Sequence, residues 1–258
     1  MSVLNLFDLK GKVAVVTGGS RGLGLQMSEA LGEAGAKVAI SARKAHELDA
    51  AAQHLKAMGI EVLTHACDLA DPAAAKPLVD EVIGAWGRID ILVNNAGTTW
   101  GAPAEDHPLE AWKKVIDLNL TAMFVLSQLV GKTVMIPQGS GKIINIASIA
   151  GYSGTDPHFM PTIAYNTSKA GVINFTKSLA CEWARYGVHV NGLAPGVFPS
   201  RMSKGMIDRA EQYILDHTPL RRMGSEQDLK GATLLLASAA SDFMTGVTIP
   251  VDGGFAAL

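Results

Sequence analysis

The sequence is poor in cysteine, poor in net charge and free of long apolar runs. Only Cys67 and Cys181 occur in 258 residues, far apart and outside any C-x-x-C pair. They cannot form a disulfide framework, and the pattern fits a reducing cytosol. The formal net charge is −2. No basic excess exists to grip a phosphate backbone, so nucleic-acid binding is not expected. No uninterrupted apolar stretch of about 18 residues occurs, so no transmembrane helix is expected. The opening residues run early into Phe7-Asp8-Leu9-Lys10-Gly11-Lys12 and lack the charged start and apolar run of a signal peptide. The seven histidines lack ligand spacing with carboxylates or cysteines. His65 and Cys67 are the nearest pair, and two residues on one strand face do not make a metal site.

What is present is ordinary globular material, 48% hydrophobic and 18% charged. A chain of this length can bury a large core. Short apolar runs at Val13–Val16, Lys37–Ser41, Glu61–Ala66, Asp90–Val93, Lys142–Ala147, Val188–Leu193 and Val247–Val251 read as strands. Between them, Gly22–Ala34, His46–Met58, Pro72–Trp86, Leu109–Val130, Thr162–Arg185 and Glu226–Ala237 read as helices. This alternation predicts an α/β fold: one doubly wound, Rossmann-like domain of about seven parallel strands with helices on both faces. Residues 1–140 would mainly bind a cofactor, and 141–258 would carry catalysis and substrate. Gly151–Thr162 and Pro199–Ser225 are the least regular stretches. They follow the carboxyl ends of strands, where such sheets place ligands.

The first strand runs into Thr17-Gly18-Gly19-Ser20-Arg21-Gly22-Leu23-Gly24. Glycines at 18, 22 and 24 allow a sharp turn and close approach to a pyrophosphate, with the next helix aiming its amides at the phosphates. The Gly-Lys-Ser/Thr ending of a P-loop is missing, which excludes an ATPase or kinase reading. Asn94-Asn95-Ala96-Gly97 follows the fourth strand and Pro195-Gly196 the sixth. Tyr165 and Lys169 are four apart on a helix, so a phenol and an ammonium share one face. Ser148 follows the fifth strand, and Asn119 lies inside a helix, where asparagine is a poor fit.

The TGxxxGxG spacing and this ordered set resemble the short-chain dehydrogenase/reductase family over essentially the whole chain. The resemblance implies a nicotinamide cofactor and an Asn119-Ser148-Tyr165-Lys169 catalytic set. It further implies cofactor contacts from Gly18, Ser20, Arg21, Gly22, Leu23, Gly24, Arg43, Lys44, Asp68, Leu69, Asn95, Ala96, Gly97, Pro195, Gly196, Phe198 and Ser200, and from Tyr165 and Lys169 themselves. The chemistry asks for these types. The nicotinamide supplies the hydride. Tyr165 gives or takes the proton. Lys169 would lower the phenol's pKa from about 10. Ser148 would bond the substrate oxygen, and Asn119 would hold a water. An interval of 17 positions between Ser148 and Tyr165 is a few residues longer than the family's common spacing.

No carboxylate follows the second strand in Ala42-Arg43-Lys44. Arg43 and Arg21 instead suit a 2′-phosphate, so NADP(H) is expected over NAD(H). Trp100, Tyr152, His158, Phe159, Phe198, Met202 and Met206 are candidate pocket residues, large and mostly apolar. Parts of the chain resemble the 3-oxoacyl-carrier-protein reductases of rhamnolipid type, others the gluconate 5-dehydrogenases. Arg201, Lys204, Arg209, Arg221 and Arg222 around the expected lid could attract an acidic carrier protein or a phosphate. The substrate expected is a small ketone or alcohol, carried on acyl carrier protein or coenzyme A in the first of these readings. A non-catalytic NADPH sensor is the minor alternative. Apolar positions on the two long helices, among them Met123, Phe124, Leu126, Phe175, Leu179 and Trp183, predict a homotetramer.

Overall fold

The computed structural model describes residues 2–156 and 160–258. Seven strands form one parallel sheet: β1 (Val13–Thr17), β2 (Lys37–Ala42), β3 (Val62–Ala66), β4 (Ile91–Asn94), β5 (Gly141–Ile146), β6 (Val188–Pro195) and β7 (Thr248–Val251). Their spatial order is β3-β2-β1-β4-β5-β6-β7. The chain works outward from β1 in one direction, then returns to β4 and works outward in the other. A crevice opens at that reversal, beyond the carboxyl ends of β1 and β4.

Side chains alternate across each strand, and both faces are covered. On one face Ala14, Val16, Val38, Ile40, Ile91 and Val93 pack with Met27 and Leu31 of α1 (Gly22–Glu33) and Leu48 and Leu55 of α2 (Ala45–Ala57). On the other, Val13, Val15, Leu92, Ile143 and Val190 meet Leu78 and Val82 of α3 (Ala75–Trp86) and a long helical segment. That segment runs unbroken from Leu109 to Gln138. It comprises α4 (Leu109–Ile116), α5 (Ala122–Val130) and α6 (Ile136–Gln138), joined by π turns at Asp117–Thr121 and Gly131–Met135. By length and composition it could cross a membrane. Its apolar side is used internally, since Met123, Leu126, Val130 and Met135 are all buried. α7 (Ile163–Trp183) lies beside it.

The main departures from the sequence expectation lie in the helices. The helix that was expected to end at Val130 continues to Gln138. Pro199–Ser225, read as irregular, contains α8 (Lys204–His217). It is mostly polar and Ile214 is its only buried residue, and a non-helical Ala210 (φ −141°, ψ 27°) kinks it. α9 (Lys230–Ala237) starts four residues later than Glu226, after a run of turns.

Candidate active site

The crevice is a single open cleft of about 1570 Å³. At one end the turn after β1 folds back under α1. Gly18 has φ +65° and Gly22 φ +53°, left-handed values that cost most residues strain. Gly24 is needed for space: a Cβ there would sit 2.2 Å from the Gly18 carbonyl oxygen. Thr17 Oγ1 accepts from the N–H groups of Asn95 and Ala96, 2.9 Å each, and Asn95 Nδ2 donates to the Thr17 carbonyl at 2.8 Å. The Asn-Asn-Ala-Gly segment thus staples the glycine turn to β4. Asn94 serves the interior, donating to Ser127 Oγ and Asn145 Oδ1, both at 2.9 Å. The first turn of α1 carries no acidic residue and no side-chain cap, which leaves its amide groups open to an anion. A cradle with its glycines in these places fits a dinucleotide pyrophosphate.

All the expected cofactor residues face this cleft: Gly18, Ser20, Arg21, Gly22, Leu23, Gly24, Arg43, Lys44, Asp68, Leu69, Asn95, Ala96, Gly97, Pro195, Gly196, Phe198 and Ser200. Asp68 also shapes its own turn, accepting from Ala70 N–H at 3.1 Å. Gly196 is pressed on Asp252, whose Cα would lie 2.7 Å from an added Cβ.

At the other end stand Ser148, Tyr165 and Lys169, all on the cleft wall. Ser148 caps a short turn (Ile149–Gly151), accepting from Ala150 N–H at 3.2 Å. That turn rests on α7 because Gly151 has no Cβ; one would lie 2.7 Å from the Lys169 carbonyl carbon. The Ser148 hydroxyl lies near enough to the Tyr165 phenol to favour its ionised form. Lys169 is buried, its Nζ 2.7 Å from the Ile146 carbonyl and 5.6 Å from the centre of the Tyr165 ring. Burial lowers the Lys169 pKa to about 8. Burial also raises the Tyr165 pKa, and the nearby Ser148 hydroxyl offsets this only in part. The expected depression of the phenol by Lys169 is therefore not what the protein's own groups produce. Desolvation penalises phenolate and ammonium together. A protonated phenol is the form that can act as an acid.

Asn119 sits in the π turn Asp117–Thr121, a helix irregularity that recurs at functional sites. It is fully buried and does not face the cleft. Its Nδ2 donates to the Thr98 carbonyl and to Ser168 Oγ, 2.9 Å each, and Oδ1 accepts from Thr98 N–H at 2.7 Å. Both amide hydrogens are committed, so the side chain ties the segment after β4 to α7 and has no hydrogen left for a water.

Among the pocket candidates, Tyr152, Phe198, Met202 and Met206 line the cleft. Phe198 is largely a core residue under Gly224. Trp100 does not line it: Thr99 and Gly101 on either side do, and Trp100 between them is 41% exposed. His158 and Phe159 lie outside the described residues. Sequence reading missed Tyr213 and His217 of α8, which also line the cleft, since α8 itself went unread. It also missed Glu47. This carboxylate lies one helical turn beyond the β2 end, where no acid was expected. It sits 2.9 Å from Arg21, 3.4 Å from Lys44 and 3.3 Å from Arg201. Among the described residues no group of three metal-ligating side chains occurs.

Comparison with known proteins agrees with this arrangement. The family model described as short chain dehydrogenase matches residues 12–211. A gluconate 5-dehydrogenase of Gluconobacter oxydans is 38% identical over 256 residues, covering 98% of each chain. A rhamnolipids biosynthesis 3-oxoacyl-acyl-carrier-protein reductase of Pseudomonas aeruginosa is 38% identical over 254 residues, covering 96% of this chain and 98% of that one. The crystal structure of a gluconate 5-dehydrogenase from Burkholderia cenocepacia in complex with NADP and tartrate superposes with a TM-score of 0.93, at 36% identity and 100% coverage of both chains. By sequence, fold and the layout of its cleft, this chain belongs to the short-chain dehydrogenase/reductase family and is an oxidoreductase.

Proposed function

We propose that the protein interconverts a ketone and a secondary alcohol with NADP(H), using Tyr165 as acid and base. The observation that carries this is the constellation at one end of the cleft: Tyr165 beside Ser148, one helical turn from buried Lys169, on the wall of the cleft that also holds the glycine cradle. The nicotinamide supplies or accepts the hydride when bound. Tyr165 protonates the developing alkoxide, or removes the proton in the reverse direction. Ser148 donates to the substrate oxygen as its charge grows. Lys169 would bond the ribose of the bound cofactor, and its ammonium together with the positive charge of the oxidised nicotinamide would favour phenolate, which the protein's own groups do not achieve alone. Asn119 positions this end of the site through Thr98 and Ser168. Residues 1–140 mainly bind cofactor, and residues 141–258 carry most of the catalytic and substrate groups together with the cofactor contacts at Pro195–Ser200.

Arg43 and Lys44 after β2, with Arg21 in the glycine turn, favour NADP(H) over NAD(H). Four solved relatives carry NADP in their descriptions. Met202, Met206 and Tyr152 support a substrate with an apolar or bulky arm, such as a 3-oxoacyl thioester on acyl carrier protein or coenzyme A. A second reading, a sugar-acid or polyol substrate, is favoured by Arg209. This cation lines the cleft and makes no ion pair among the described residues. The assembly is a homotetramer and the compartment is cytoplasmic, which suits two free thiols. Exposed Phe124, edge-on to Phe175 at 6.3 Å, supports the assembly. Met123, Leu126 and Leu179, counted for it in the sequence, are buried within the protomer.

The test is cofactor consumption with 3-oxoacyl thioesters, 5-ketogluconate and simple bulky ketones, with NADPH and NADH in parallel. Tyr165→Phe should cut turnover by about 10²-fold or more on any accepted substrate. A purified, folded variant keeping more than roughly half of the activity would rule out the role, because loss of a general acid typically costs about 10²- to 10⁴-fold.

A further inference from the structure

The ribose end of the cleft already contains an anion supplied by the protein. Glu47 stands in the first turn of α2 with its side chain only 19% exposed. Arg21 reaches both of its oxygens, at 2.9 and 3.0 Å. Lys44 and Arg201 complete the ring at 3.4 and 3.3 Å. These cations come from three places: the glycine turn, the β2–α2 turn, and the segment after β6 that covers the cleft. All of them line it, as do Glu47 and Arg43. Burial alone would raise the Glu47 pKa, and the surrounding cations hold it below the ordinary carboxylate value instead.

We propose that Glu47 is a built-in stand-in for the adenosine 2′-phosphate, holding Arg21, Lys44 and Arg201 in a phosphate-ready cluster and competing with the phosphate for them. This rests on the NADP(H) reading. A phosphate monoester brings nearly two negative charges and three acceptor oxygens against the single charge of a carboxylate. It can therefore take over the cations, whereas a nucleotide with a free 2′-hydroxyl leaves them on Glu47. The carboxylate lowers the affinity for NADP(H) without touching NAD(H), so it sets the margin between the two. Arg201 gives the exchange a second consequence. It is 154 positions from Glu47 in sequence and belongs to the covering segment, so it joins that segment to whichever anion fills the site.

The experiment is calorimetric titration of the full chain with 2′,5′-ADP and with 5′-AMP, which report binding without hydride chemistry. The wild type should bind 2′,5′-ADP roughly tenfold or more tightly than 5′-AMP. Glu47→Gln should tighten 2′,5′-ADP about three- to tenfold and leave 5′-AMP within about twofold. Glu47→Asp keeps the charge and should stay near the wild type. Arg201→Gln should weaken 2′,5′-ADP about threefold and spare 5′-AMP. Equal wild-type affinity for the two nucleotides overturns the NADP(H) reading itself. Wild-type preference together with unchanged or weaker 2′,5′-ADP binding in folded Glu47→Gln overturns the stand-in role alone. So does an Asp variant that tightens as much as the Gln variant.

Discussion

Replacing Lys169 by methionine should make the protein more stable at neutral pH while destroying its activity. Lys169 is 5% exposed, and burial brings its pKa from 10.5 to about 8. That gap corresponds to about 3 kcal/mol. In the unfolded chain the ammonium keeps its proton up to pH 10.5; in the folded protein it lets go near 8. The unfolded state therefore binds more protons between these values, and stability rises with pH across that window. Below pH 8 the full penalty of a buried ammonium is present. Methionine has a similar unbranched shape and no charge to desolvate. It also has no donor for the Ile146 carbonyl, now bonded at 2.7 Å, which costs about 1 kcal/mol. The net gain at pH 7 is about 2 kcal/mol, or a Tm higher by about 4–8 °C for a chain of this size. By pH 10 most of the wild-type penalty has gone and the gain should vanish. Scanning calorimetry of both proteins at pH 7 and pH 10, without added nucleotide, reads the difference directly. A variant that melts below the wild type at pH 7 would refute the reasoning, as would a difference that is the same at both pH values.

Gly151→Ala should push the Ser148 turn off α7, because the new Cβ would lie 2.7 Å from backbone; kcat should fall about 10- to 100-fold, more than KM rises. Gly24→Ala places a Cβ 2.2 Å from the Gly18 carbonyl, and NADPH binding followed by its fluorescence should weaken about tenfold or more, the scale of a lost charge-assisted hydrogen bond. Light scattering at micromolar concentration should give the mass of four chains, and a monomer alone would contradict the proposed assembly.

Much of this protein is set by local sequence pattern. The seven strands fall where short apolar runs lie, within a residue or two at their ends. The inner strands are largely apolar because both of their faces are buried, whereas β3 and β7 at the edges are only partly buried. The order of the motifs is likewise a property of the chain: Thr17 to Gly24 must follow β1 and open a helix, and Tyr165 and Lys169 must share a face wherever α7 lies. α8 is hard to read from sequence because it is mostly polar, buries one side chain and is kinked at Ala210. Tertiary packing alone decided the rest. Gly151 seats Ser148 against α7, although the two are separated by the long interval before Tyr165. Asn119 spends its amide on Thr98 and Ser168, positions 21 and 49 residues away. Glu47 meets Arg201 across 154 residues. Burial, which no residue declares by its identity, moves the pKa values of Tyr165 and Lys169. Sequence pattern speaks for neighbours along the chain, and the electrostatics of a cleft depend on which distant segments close over it and how much water they exclude.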